Sequence, residues 1–280
     1  MSATKNAATT IMLLAPQNEK ARCSYCGTEL AAGFYFCTAC AMPHRDVEDV
    51  LPEVPPPRWD AETLIREQAP EVWRLFFTYI AVLTGCTVVT LIVFPGEQVF
   101  LPHLLVNTAG ISLASLCFSI PHRSLLRPQF AGFGLASKSM VLGLVLLLAL
   151  LAVNFVWHGV LWQLAPPDLK DSGAETIASV IPSRAGRIIL ICVFPGIFEE
   201  LGFRGLMQTW LMRVLGSKRA ILVSAALFST LHLSVLSFPY LFLAGCLFGW
   251  IRLRTGLLFP AMLLHVLHNL GVLCYEGLLD

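Results

Sequence analysis

The chain of 280 residues is 56% hydrophobic and 13% charged, with a mean hydropathy of +0.71. A soluble domain carries about 25% charged residues, so this composition argues against an ordinary soluble globular protein and predicts a polytopic membrane protein whose main surroundings are the lipid bilayer. A net charge of +1 gives no reason to expect a nucleic-acid partner.

Residues 1–20 read as a polar, Ala/Thr-rich disordered tail. Its apolar stretch, Ile11 to Ala15, is too short for a signal-peptide core. Residues 21–42 carry Cys23 and Cys26, then Cys37 and Cys40, as two C-x2-C pairs ten residues apart. Each pair makes a tight knuckle, and two knuckles supply the four thiolates of a tetrahedral structural Zn²⁺. Gly27 suits the turn after Cys26, and Phe34 and Phe36 can fill the small core. So short a segment cannot fold on its apolar core alone, so the metal would supply its stability. The rival reading is a pair of disulfides, which a cytoplasmic location disfavours. The spacing predicts a zinc ribbon and leaves the ribbon's partner unspecified. The other cysteines, Cys86, Cys117, Cys192, Cys246 and Cys274, lie in apolar runs and read as small hydrophobes.

Residues 43–71 read as a linker, stiffened by Pro52, Pro55, Pro56 and Pro57, followed by a short interfacial helix on Trp59, Leu64 and Ile65. The transmembrane domain is expected over 72–280. It is predicted to be all-α, a helical bundle of about seven spans: Val72 to Phe94, Leu101 to Ile120, Met140 to Leu164, Arg187 to Gln208, Ala220 to Ser237, Pro239 to Trp250 and Leu257 to Tyr275. Pro195-Gly196 is expected to kink the fourth, and Gly216-Ser217 reads as a helix stop followed by a start. Arg123, Arg127 and Lys138 follow the second span, Arg213, Lys218 and Arg219 the fourth, and Arg252 and Arg254 the sixth. Positive charge marks the inner side. The amino terminus is therefore expected in the cytoplasm and the carboxyl terminus outside, in a bacterial inner membrane.

Ionised groups inside hydrocarbon cost about 2.5 kcal/mol or more, so they persist where they pair or do chemistry. Glu199 and Glu200 lie between apolar runs. Helix geometry turns them about 100° apart, which predicts different partners. Glu200 and Arg204 are spaced to pair on one helix face, leaving Glu199 free for chemistry. Phe228 and His232 in the fifth span share a face, as do His265 and Asn269 in the seventh. Counting along each helix puts these groups at compatible depths in one water-accessible pocket opening to the cytoplasm. A carboxylate and an imidazole can take a proton from water, directly or as ligands of a catalytic Zn²⁺; a second imidazole and an amide can stabilise an oxyanion. Each group alone has a structural reading: a histidine bonding between helices, or Glu200 and Arg204 as an ion pair. His268 reads as packing, and His103, His122 and His158 as interfacial. The coincidence of three patterns on three spans favours chemistry.

These patterns, Glu-Glu-x3-Arg, Phe-x3-His and His-x3-Asn, with Gly249 to Ala261 before the last, resemble the CAAX protease and bacteriocin-processing (ABI) family of intramembrane proteases over about 186–273. The resemblance implies an all-helical membrane fold and hydrolysis of a membrane-associated peptide or protein. It implies Glu199 as the water-activating carboxylate, Glu200 and Arg204 as its support, and His232 as the imidazole that joins Glu199 on the water. It implies His265 and Asn269 as oxyanion stabilisers, and leaves a catalytic metal open. The zinc ribbon is an addition to the family pattern. Two other functions fit the same residues: a non-catalytic scaffold or immunity protein, and a transporter using buried charges as a proton relay.

Overall fold

The computed structural model describes residues 61–94, 100–130, 138–164 and 173–279. The four cysteines expected to bind zinc, and the linker before residue 61, lie outside them. Every regular element among the described residues is helical: α1 (Ala61–Val93), α2 (Phe100–Ser119), α3 (Lys138–Leu164), α4 (Gly173–Val180), α5 (184–215), α6 (Ser217–Thr230), α7 (Phe238–Thr255) and α8 (Phe259–Tyr275). A short helical elbow, Arg123–Leu126 with the 3₁₀ turn Arg127–Phe130, follows α2.

Several boundaries differ from the sequence reading: α5 continues past Gln208 to Leu215, and α7 past Trp250 to Thr255. The interfacial helix and the first span are one helix, because α1 runs from Ala61 through Pro70 without interruption. Helix α6, the fifth expected span, ends at Thr230 rather than Ser237, so His232 sits in a turn. The expected stop and start is present: α5 ends at Leu215, Gly216 takes φ +75°, and α6 begins at Ser217. A side chain at that φ would be strained, which is why glycine serves there.

Arg66–Val93, Phe100–Ser119 and Lys138–Val160 are each long and apolar enough to cross a bilayer. Ile92, Leu113, Leu148 and Val156 on these helices are each more than half exposed. Apolar surface on that scale, turned outward, suits lipid rather than water. The protein is an integral membrane protein. Helix α8 is apolar but shorter. Helix α5 carries Arg187, Glu199, Glu200, Arg204 and Arg213, a charge load beyond that of a plain spanning helix.

Those charges are tolerated because α5 lies at the centre. Glu200, Arg204 and Gln208 are fully buried, as are Leu206, Met207 and Met212. They pack among Leu75 and Tyr79 of α1 and Phe228 of α6. Met140, Leu147 and Leu151 of α3 form a second cluster with Phe248 and Ile251 of α7 and Leu264 of α8. Lipid is as apolar as leucine, so close packing and polar bonds hold such helices together.

Close approach needs small residues. A Cβ on Gly196 would stand 2.5 Å from a methyl of Val266, where α5 meets α8. A Cβ on Gly202 would overlap the Tyr79 hydroxyl. That hydroxyl bonds Ser115 at 2.6 Å, and the Ser115 hydroxyl reaches the Phe198 carbonyl at 2.8 Å. The serine proton goes to the carbonyl, so Tyr79 is the donor to Ser115. Gly202→Ala is therefore expected to overpack the joint of α1, α2 and α5 and destabilise the protein by about 1–3 kcal/mol. Thermal unfolding in detergent would check this; an unchanged midpoint would mean that the helices part without cost.

Candidate active site

Helix α5 is not uniform. It is α-helical at Arg184–Arg187, widens to a π-helix over Ile188–Val193, returns to α over Phe194–Glu200, and widens again over Leu201–Met207. Pro195 follows the first widening. Having no N–H, it cannot make the α-type bond back to Ile191, and the chain accommodates this with a π segment rather than a break. Glu199 and Glu200 thus sit on a short α turn between two widened ones, a feature frequent at functional sites.

Glu200 is fully buried and bonds Arg204 at 2.7 Å, as the i,i+4 spacing predicted. Arg204 also donates to the Gly245 carbonyl at 3.1 Å, and its guanidinium lies 4.5 Å from the centroid of Phe228 and 5.4 Å from that of Phe248. The rings and the carboxylate replace the hydration that burial removed.

His265 lies between the two glutamates but bonds only Glu200. His265 Nδ1 lies 2.9 Å from Glu200 Oε1, and its Nε2 lies 4.0 Å from Glu199 Oε2. At 4.0 Å Glu199 borders the imidazole without a hydrogen bond, in keeping with the roughly 100° between the two side chains. Phe248 stacks on His265 at 4.9 Å and Phe228 meets it edge-on at 5.8 Å, so the ring is held on both sides. Because Glu200 already accepts from Arg204, the neutral His265 carries its proton on Nδ1 and leaves Nε2 as an acceptor.

His232 is fixed by the end of α6. Its backbone N–H bonds Ser229 at 3.2 Å, which frees the Phe228 carbonyl. The imidazole Nδ1 takes that carbonyl at 3.0 Å. A carbonyl only accepts, so Nδ1 is the donor and Nε2 is left with a lone pair. Leu233, at φ +51°, turns the chain away immediately afterwards.

Asn269 donates from Nδ2 to the Ile191 carbonyl at 2.9 Å, and its Oδ1 lies 2.7 Å from His268 Nδ1. One N–H of the amide remains for the cavity that the side chain borders. Glu199, His232, His265, His268 and Asn269 all line this cavity of about 130 Å³, with Pro195, Phe228 and Phe248. That is room for several water molecules. Glu199 is 24% exposed, whereas Glu200 is fully buried. It also borders a second cavity of about 120 Å³ against Asn107 and Ser112 of α2.

Residues 182–271 match a family model described as type II CAAX prenyl endopeptidase Rce1-like. The matched stretch contains all six residues singled out in the sequence: Glu199, Glu200, Arg204, His232, His265 and Asn269. It begins just before α5 and closes within α8, so it takes in every wall of the cavity. No curated protein and no solved structure matches the chain. The Rce1-like likeness is to a protease family and agrees with the resemblance drawn from the motifs.

Among the described residues, no group of three or more His, Cys, Asp or Glu side chains is arranged to hold a metal ion. Two residues of the cavity region escaped the sequence reading. His268, whose sequence context suggests packing, and Tyr240 are both buried and bonded to each other. The signal available was the adjacency of His268 to Asn269.

Proposed function

We propose that this chain is an intramembrane endopeptidase that hydrolyses a membrane-associated peptide or protein with water activated by Glu199. The observation that carries the reading is the one cavity bordered by Glu199 from α5, His232 from the end of α6, and His265 and Asn269 from α8. Glu199, the solvent-reachable acid, takes the proton from water while the oxygen attacks the scissile carbonyl. Glu200 is held by Arg204 and His265 and orients the latter. The Nε2 atom of His232 accepts the hydrogen bond of the water's second O–H. Neutral His265 in this orientation cannot donate to an oxyanion, so Asn269 Nδ2 is assigned that task. Collapse of the tetrahedral adduct breaks the C–N bond, and the proton held by Glu199 passes to the leaving amine.

The experiment is a comparison of membrane proteomes from cells carrying the intact and the Glu199→Gln protein. The reading expects a membrane peptide that accumulates uncut in the variant. Identical proteomes would instead favour a scaffold function, and proton-coupled uptake lost with the same substitution would favour a transporter.

The same reading gives α1, α2, α3, α5, α6, α7 and α8 as seven spans, in a bacterial inner membrane, with the amino terminus inside. An alkaline phosphatase fused after residue 280 should then be active, since it would lie outside; an inactive fusion would place the carboxyl terminus in the cytoplasm. Cys23, Cys26, Cys37 and Cys40 are proposed to hold one structural Zn²⁺. Purified full-length protein should contain about one zinc per chain, and Cys23→Ser should lose it. Zinc content unchanged by that substitution would contradict the ribbon.

A further inference from the structure

Asn269 can stabilise an oxyanion only if its amide presents N–H rather than oxygen to the cavity. Oxygen and nitrogen of a carboxamide are almost equal in size, so packing alone does not choose between them. Hydrogen bonds choose. The Ile191 carbonyl only accepts, so the amide nitrogen faces it. The amide oxygen then faces His268 Nδ1 at 2.7 Å, and that nitrogen must carry a proton. His268 Nε2 is consequently an acceptor, and the Tyr240 hydroxyl donates to it. Tyr240 and His268 are both buried, and their rings stack at 5.5 Å. At the other end, the Ile191 carbonyl is the one that Pro195 cannot serve.

We infer that Tyr240 and His268 are positioning residues, which lock the tautomer of His268 and through it the orientation of the Asn269 amide. The inference rests on the proteolytic reading for its kinetic consequence but not for the tautomer. A protonated Nε2 would turn the chain of bonds around. Without the His268 donor the amide oxygen loses its partner and only the Ile191 contact holds the amide, so flipped states that offer a lone pair to a developing negative charge gain population, which raises the barrier and leaves binding unaltered.

The test uses full-length protein in lipid vesicles and a fluorescence-quenched farnesylated CAAX peptide as probe. His268→Leu is expected to lower kcat by about 10- to 100-fold with KM unchanged, less than the 10²–10³ that loss of an oxyanion donor itself costs. His268→Asn, whose amide can replace the Nδ1 donor, should restore most of the rate, and Tyr240→Phe should fall between. In an Asn269→Ala background, His268→Leu should cost nothing further, because the residue acts through Asn269. Multiplied losses, or a change confined to KM, would overturn the inference. ¹⁵N-histidine NMR of the same protein is the second arm. It should find His268 protonated on Nδ1 and bare on Nε2, with that signal moved by Tyr240→Phe. A His268 protonated on Nε2 would overturn the relay whether or not the probe is cut. A wild-type protein with the expected tautomer that leaves the probe intact would count against the proteolytic reading for this probe while supporting the relay.

Discussion

Exchanging Glu199 for Gln is expected to lower the cleavage rate by about 10³-fold or more, since general-base catalysis alone is worth about 10²–10⁴. The substitution keeps the size of the side chain and removes only its basicity. Glu199 is part-exposed at the cavity wall and, among the described residues, its nearest ion-pair partner is His265 at 4.0 Å. Folding should therefore change little, and the thermal midpoint in detergent should stay close to that of the parent. The pairing of a large kinetic loss with a small stability loss is the signature to look for in single-turnover assays. A variant that retains the parental rate would remove Glu199 from the chemistry.

The opposite pattern is expected for Arg204→Met. Methionine fills much of the space among Phe203, Phe228 and Phe248 but leaves Glu200 fully buried without its cation. Breaking one side of a buried pair costs about 3–5 kcal/mol, a large share of the stability of a typical fold. Glu200 also orients His265, so the residual folded protein should be slow as well. Replacing both members, as Glu200→Met with Arg204→Met, should recover much of the stability and none of the rate. Denaturation in mixed micelles, read alongside cleavage, separates the two effects. Equal stability of the single and double variants would show that the pair is not coupled.

Much of this site is legible in the residues. The i,i+4 spacing of Glu200 and Arg204 gives their ion pair, and the apolar runs interrupted by Gly216 give the helices and one turn. The division between a held and a free carboxylate also follows from helix geometry, and it matches the burial of Glu200 against the exposure of Glu199. What is not legible depends on long-range contacts. No local rule brings His265 within 2.9 Å of Glu200, 65 positions away. Nor does any local rule bring Tyr240 to His268, or tell that α6 stops at Thr230 so that His232 caps its own helix. The boundary expected between an interfacial helix ending at residue 71 and a span starting at Val72 is absent, because α1 runs on through Pro70.

The most direct test of water activation by Glu199 is a single turnover in H₂¹⁸O, with enzyme in excess over the peptide that accumulates in Glu199→Gln membranes. Direct attack by water predicts one ¹⁸O in the new carboxylate of the product and none in the Glu199 side chain, both read by mass spectrometry. Label found in Glu199 would mean that the glutamate itself attacked the peptide bond, and would contradict the account.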